Sequence, residues 1–124
     1  MNEKKLILLA DDDADLLDLV RTFLTGKGYD VVTAKDGEEA IAAAIGNKFD
    51  LVLLDVMMPK IDGYHVAQKL ADHYGGDCPK MIMITSRDAE RDERIAAASG
   101  ADAILQKPLK LSLLKERIEA LIGA

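Results

Sequence analysis

Apolar runs of strand length recur along the chain at Leu6–Ala10, Val31–Ala34, Leu51–Leu54, Met81–Thr85 and Ala103–Leu105. Between them the apolar positions take helical spacing. Leu16, Leu17, Val20, Phe23 and Leu24 form one stripe, which predicts a helix ending near Gly26-Lys27-Gly28. A second helix opens with Asp36 and Glu39, spaced as a capping box, and ends around Gly46. A third carries Val66, Ala67, Leu70 and Tyr74 before Gly75-Gly76, and a fourth runs from Ala89 to Ser99 with Gly100 as its stop. A fifth presents Leu111, Leu114, Ile118, Leu121 and Ile122 on one face. Alternation of this kind signals a parallel α/β sheet, and right-handed crossovers put helices on both of its faces. The expected architecture is a flavodoxin-like five-stranded sheet of order 2-1-3-4-5, with a switch point between strands one and three.

The stretch from Asp50 to Pro59 organises the rest. Leu51-Val52-Leu53-Leu54 runs straight into Asp55, and Pro59 forbids the strand from continuing. An apolar run without polar alternation suits a strand buried on both faces, which places Asp55 at the carboxyl end of a central strand. Strand one ends in Asp11-Asp12-Asp13. Successive carboxylates repel one another unless a cation sits among them, although Asp13 and Asp15 read equally well as a helix cap and a first-turn acid. Asp11, Asp12 and Asp55 together offer hard oxygen ligands of the kind Mg²⁺ takes, with waters and a phosphoryl group completing the octahedron. Strand four ends in Thr85-Ser86, which supplies a hydroxyl, and strand five in Lys107-Pro108, which supplies an ammonium for a phosphate oxygen. This is equipment for phosphoryl transfer, in which an aspartate can itself be the nucleophile. His65 and His73 fall on the third helix, and there is no Gly-rich phosphate loop, so the chain does not read as a nucleotide-using kinase.

Composition narrows the classes further. The 124 residues are read as one domain spanning 1–124, and 49% apolar with 31% charged residues is the balance of a globular chain. A net charge of −6 without a basic stripe argues against a nucleic-acid partner. The opening residues lack the apolar run of a signal peptide, and no stretch reaches membrane-spanning length. Cys78 has no second cysteine to pair with, which fits a reducing cytoplasm.

In this order and spacing, Leu8-Leu9-Ala10-Asp11-Asp12-Asp13, the Asp50–Pro59 run with Asp62-Gly63, Ile84-Thr85-Ser86, Gly100-Ala101-Asp102 and Lys107-Pro108 resemble the response-regulator receiver domain of two-component signalling. The resemblance covers essentially the whole chain. It implies that Asp55 is the phosphoacceptor, charged from a sensor histidine kinase or a histidine phosphotransfer protein. Asp12 and Asp55 would bind Mg²⁺ directly, Asp11 through water, and the backbone carbonyl of Met57 would complete the protein ligands. Thr85 and Lys107 would contact the phosphoryl group, and the Lys107–Pro108 bond would be cis. Such a protein is a phosphoacceptor that assists its own phosphorylation and slow dephosphorylation, rather than an enzyme. It would be a monomer or a weak phosphorylation-dependent dimer, without membrane contact.

Its output would be a downstream protein partner on the face formed by the fourth helix, fifth strand and fifth helix. The loop before the fourth helix and the start of that helix carry the charge-rich run Arg87, Asp88, Glu90, Arg91, Asp92, Glu93 and Arg94. Two positions depart from the family pattern. Ile104 stands where an aromatic commonly rotates with the threonine, and Leu109 stands where a Phe often follows Lys-Pro. The residues two past the Asp and two past the Thr, which flank the water path for hydrolysis, are Met57 and Arg87. Neither can serve as a general base, so slow dephosphorylation is expected. A haloacid-dehalogenase-like phosphatase would need an acid at Met57, and a flavodoxin would need a neutral loop where the three acids stand. A receiver fold acting as a protein-binding module without phosphorylation is the remaining alternative.

Overall fold

The computed structural model describes residues 4–86 and 89–123, with side chains of the fourth helix described from 94 onward. Five parallel strands, β1 (Leu6–Ala10), β2 (Asp30–Ala34), β3 (Leu51–Asp55), β4 (Lys80–Thr85) and β5 (Ala103–Gln106), line up as β2-β1-β3-β4-β5. Helices α1 (Ala14–Gly26), α2 (Gly37–Gly46), α3 (Gly63–Tyr74), α4 (Ala89–Ala98) and α5 (Leu111–Ile122) connect them. The expected flavodoxin-like α/β sheet and its strand order are therefore what the chain forms.

Because strand side chains alternate between faces, each strand feeds two cores. Ile7, Leu9, Leu51, Leu53, Ile82 and Ile84 pack with Val20 and Leu24 of α1 and Leu114 and Ile118 of α5. Leu8, Ala10, Val52, Leu54, Met81 and Met83 pack on the other face with Ala40 and Ala44 of α2, Val66 and Leu70 of α3 and Ala96 of α4. All of β3 is buried, which is why its sequence shows no polar alternation, whereas β2 at the sheet edge is half-exposed. Among the described residues no helix is long and apolar enough to cross a membrane.

Helix ends follow the local chemistry, with one departure. Asp36 caps α2 by accepting the Glu39 N–H at 2.9 Å, but the Glu39 carboxylate accepts from the N–H of Lys35 at 3.1 Å rather than from Asp36. The capping box thus closes one residue further back than the spacing predicts. Gly100, at φ +96°, ends α4 by turning left-handed, and the Ala101 N–H behind it bonds the Ala96 carbonyl at 3.0 Å. The Tyr74 hydroxyl lies 2.9 Å from the carbonyls of both Ala44 and Asn47, tying the end of α3 to the end of α2. A short 3₁₀ turn, Gly75–Asp77, follows α3 where the glycines predict only a break.

Candidate functional site

Every group singled out at a strand end arrives at the same edge of the sheet. Ala10 of β1 pairs with Leu54 of β3, so the residues that follow, Asp11 and Asp55, leave adjacent strands side by side. Asp11 is wholly buried and Asp55 is 3% exposed. Asp11 Oδ1 accepts the Asp13 N–H at 2.9 Å, which turns the chain out of β1. Asp13 then caps α1, taking the N–H groups of Asp15 and Leu16 at 3.0 and 3.3 Å. Asp13 is thus a helix cap, its carboxylate occupied by the start of α1. Asp12, between the two, is exposed.

The carboxylates of Asp11, Asp12 and Asp55 each offer an oxygen within 4.8 Å of the others. Lys107 stands against two of them. Its Nζ donates to Asp55 Oδ2 at 3.3 Å and lies 3.0 Å from Asp11 Oδ2. The second approach pairs charge without hydrogen-bond alignment, so this buried Asp11 oxygen is left with no hydrogen-bond donor. Asp55 Oδ1 accepts the N–H of Met57 at 3.2 Å. Lys107 is held in place through its backbone, whose N–H donates to the Thr85 carbonyl at 2.7 Å. Thr85 is wholly buried at the end of β4, paired in register with Gln106.

Burial pushes the Asp55 carboxyl up to about 6, and the neighbouring Asp11 adds to the rise; Lys107 and the Met57 N–H oppose it. Burial alone would lower the Lys107 ammonium, but Asp11 and Asp55 outweigh it and hold the group above its ordinary value. At neutral pH the site therefore carries more negative charge than its single ammonium neutralises. An under-bonded buried carboxylate oxygen beside two more carboxylates fits a small, hard divalent cation such as Mg²⁺.

The Lys107–Pro108 bond is cis. Ile104 is half-buried and packs into the core beneath α4, beside Met83 in register, while Leu109 packs toward the α1 and α5 side. Met57 is 56% exposed beside the acids. His65 and His73 lie on α3, with His65 Nδ1 2.8 Å from the Asp62 carboxylate. Arg87 and Asp88, and the side chains of Glu90, Arg91, Asp92 and Glu93, lie outside the described residues.

Two residues of the site were not legible in advance. Gly63, the first residue of α3, has its N–H on the Val56 carbonyl at 3.0 Å. A methyl group there would collide with the Asp55 carbonyl oxygen and come within 3.0 Å of Val56 Cα. The Asp62-Gly63 pair carried a turn signal, but not this close approach. Lys60 has φ 71°, and its side chain reaches Asp36 and Glu38 at the start of α2, at 3.4 and 3.6 Å. Nothing in a Pro-Lys pair announces a left-handed residue.

Comparison with known proteins bears on this geometry. The family model for the response regulator receiver domain matches residues 7–119. The alkaline phosphatase synthesis transcriptional regulatory protein PhoP of Bacillus subtilis (strain 168) is 38% identical over 122 residues, which are 98% of this chain and 49% of that protein. The chain thus spans about half the length of the curated relatives it matches. That relative is by name a transcriptional regulator, which leaves the expectation of no nucleic-acid partner without support. Among solved structures, a CheY-like response regulator receiver domain protein from Methanospirillum hungatei JF-1 superposes with a TM-score of 0.88 at 30% identity, covering 95% of this chain and 93% of that one. The receiver domain of sensor histidine kinase PA1611 from Pseudomonas aeruginosa PAO1 has a TM-score of 0.87 at 25% identity, covering 98% of this chain and all (100%) of that one. That structure has a magnesium ion coordinated in its active site cleft.

Proposed function

This chain belongs to the response regulator receiver domain family, and from that premise we propose that it accepts a phosphoryl group on Asp55 from a phosphohistidine donor. The donor is a sensor histidine kinase or a histidine phosphotransfer protein, met in the cytoplasm. The observation that carries the reading is the set of three carboxylates within 4.8 Å, with the Lys107 ammonium wedged against two of them.

An Asp55 carboxylate oxygen attacks phosphorus, forming the O–P bond as the P–N bond to the donor imidazole breaks, and the released ring takes up a proton. A carboxyl group titrating at about 6 is mostly ionised at neutral pH, so the nucleophile is present without a general base. Asp11, Asp12, Asp55 and the Met57 carbonyl are the groups that would hold Mg²⁺, which when bound neutralises charge on the phosphoryl oxygens. Lys107 exchanges its contact with Asp55 for a phosphoryl oxygen while keeping Asp11. Thr85 supplies a hydroxyl from the end of β4. The product adds about −1.5 to −2 charge at this edge, which is the signal read by a partner on the α4, β5 and α5 face.

Acetyl phosphate with Mg²⁺ should add the mass of one phosphoryl group to the protein, and chelation with EDTA should prevent it. A chain that binds Mg²⁺ yet stays unlabelled would overturn this reading in favour of a protein-binding module. Once formed, the acyl phosphate should decay slowly, because Met57, exposed beside the acids, cannot polarise a water and is bulky enough to hinder its approach. Met57→Asn should shorten the half-life by about threefold or more, since a positioned polar group can orient the attacking water. Unchanged decay, followed by phosphate release, would rule out Met57 as the obstruction.

A further inference from the structure

We propose that Lys60 is a positioning residue: its ammonium, held by Asp36 and Glu38 on α2, keeps the loop behind Asp55 in the conformation the site requires. The inference rests on the phosphoacceptor reading for its functional consequence, but not for the structural one. Among the described residues Lys60 is the only non-glycine with positive φ, at 71°. The Ile61 N–H bonds the Pro59 carbonyl at 2.8 Å across it, closing a three-residue turn. With positive φ at its centre, this is the rare and strained hand of such a turn, and a lysine carries a Cβ that disfavours it. Such a conformation persists only where its surroundings over-determine it.

The surroundings are visible. Lys60 Nζ lies 3.4 Å from Asp36 Oδ2 and 3.6 Å from Glu38 Oε2. Asp36 cannot swing away, because it is buried and caps α2 through the Glu39 N–H. Next to it, Gly37 receives the Ile61 carbonyl so closely that a Cβ on Gly37 would collide with that oxygen. Further along, Asp62 caps α3 by accepting the His65 N–H at 3.0 Å, and Gly63 bonds Val56. The loop from Val56 to Gly63 is thus fixed at its two ends by β3 and α3, and in its middle by α2. Its first free residue, Met57, donates its N–H to the Asp55 carboxylate, so a shift in the loop passes directly to the acceptor oxygen.

The competing account is that Lys60, 55% exposed in its side chain, makes an ordinary surface ion pair with no consequence. Three variants separate the two. Lys60→Met removes the charge and keeps the Cβ, Lys60→Gly removes both, and Lys60→Arg keeps both. In metal-free protein, Lys60→Met should raise hydrogen exchange at the Ile61 amide by about two- to fivefold, the range open to an exposed ion pair. It should slow phosphorylation by acetyl phosphate at saturating Mg²⁺ by a similar factor, with global unfolding by urea little changed. Lys60→Gly, which adopts the turn without strain, should fall closer to wild type in both readouts, and Lys60→Arg should match it. High salt should reproduce the exchange effect in wild type and not in Lys60→Met. Unchanged Ile61 exchange in Lys60→Met overturns the proposal. Raised exchange with no labelling of any variant, wild type included, upholds the positioning contact and rejects the phosphoacceptor reading instead.

Discussion

Asp55→Asn is expected to abolish phosphoryl uptake and, without metal, to make the protein more stable than wild type at neutral pH. The first half follows from removal of the only carboxylate at that strand end; the second follows from burial. A buried carboxyl pushed up to about 6 favours its neutral form in the folded chain, against about 3.9 when unfolded. Its contribution to stability is therefore fully present below about pH 4 and lost as pH rises through about 6, worth up to about 3 kcal/mol by linkage. Asparagine is neutral throughout, so the variant should lead wild type by about 1–3 kcal/mol at neutral pH and show no lead below about pH 4. Adding Mg²⁺ should shrink the gap, because only wild type gains strong binding energy from the ion. Urea unfolding across this range, with and without EDTA, reads all of it. A gap that does not change with pH would mean that Asp55 is not the group whose ionisation costs stability.

Gly63→Ala should be the most damaging of single-methyl additions. Its new Cβ meets backbone only, the Asp55 carbonyl and Val56 Cα, and backbone cannot rotate aside as a side chain can. Either α3 retreats or the end of β3 bends, at roughly 2–4 kcal/mol, at or above the usual cost of overpacking. The phosphorylation rate should fall as well, since the carbonyl that must move belongs to the acceptor residue. Gly46→Ala is the control: nothing lies within 4 Å of a Cβ there, and φ is not positive, so the change should be neutral or stabilise by up to about 1 kcal/mol. Thermal unfolding that ranks the two variants alike would contradict this account of Gly63.

The reasons why some of this was readable in the sequence, and some was not, are physical. The β3 run lacks polar alternation because helices cover both faces, so burial writes itself directly into composition. Strand ends were legible because acids, Thr-Ser and Lys-Pro break apolar runs, and parallel topology sends all of those breaks to one edge. The pairing of Lys107 with both Asp11 and Asp55 was not legible, since it depends on the height at which β5 ends relative to β1 and β3. The left-handed Lys60 was invisible for a different reason. Its contacts come from Asp36 and Glu38 at the start of α2, far away in sequence, whereas local propensity argues against its conformation.

Lys107 also makes the charge balance of the acidic edge depend on a contact far apart in the chain. It lies 52 positions after Asp55 and directly follows β5. A chain with β1, β3 and β4 docked but β5 apart would hold its paired acids without their counter-charge. Such a state would be electrostatically incomplete at the edge that gathers the three carboxylates. Docking of β5 would therefore complete the sheet and offset part of that repulsion together.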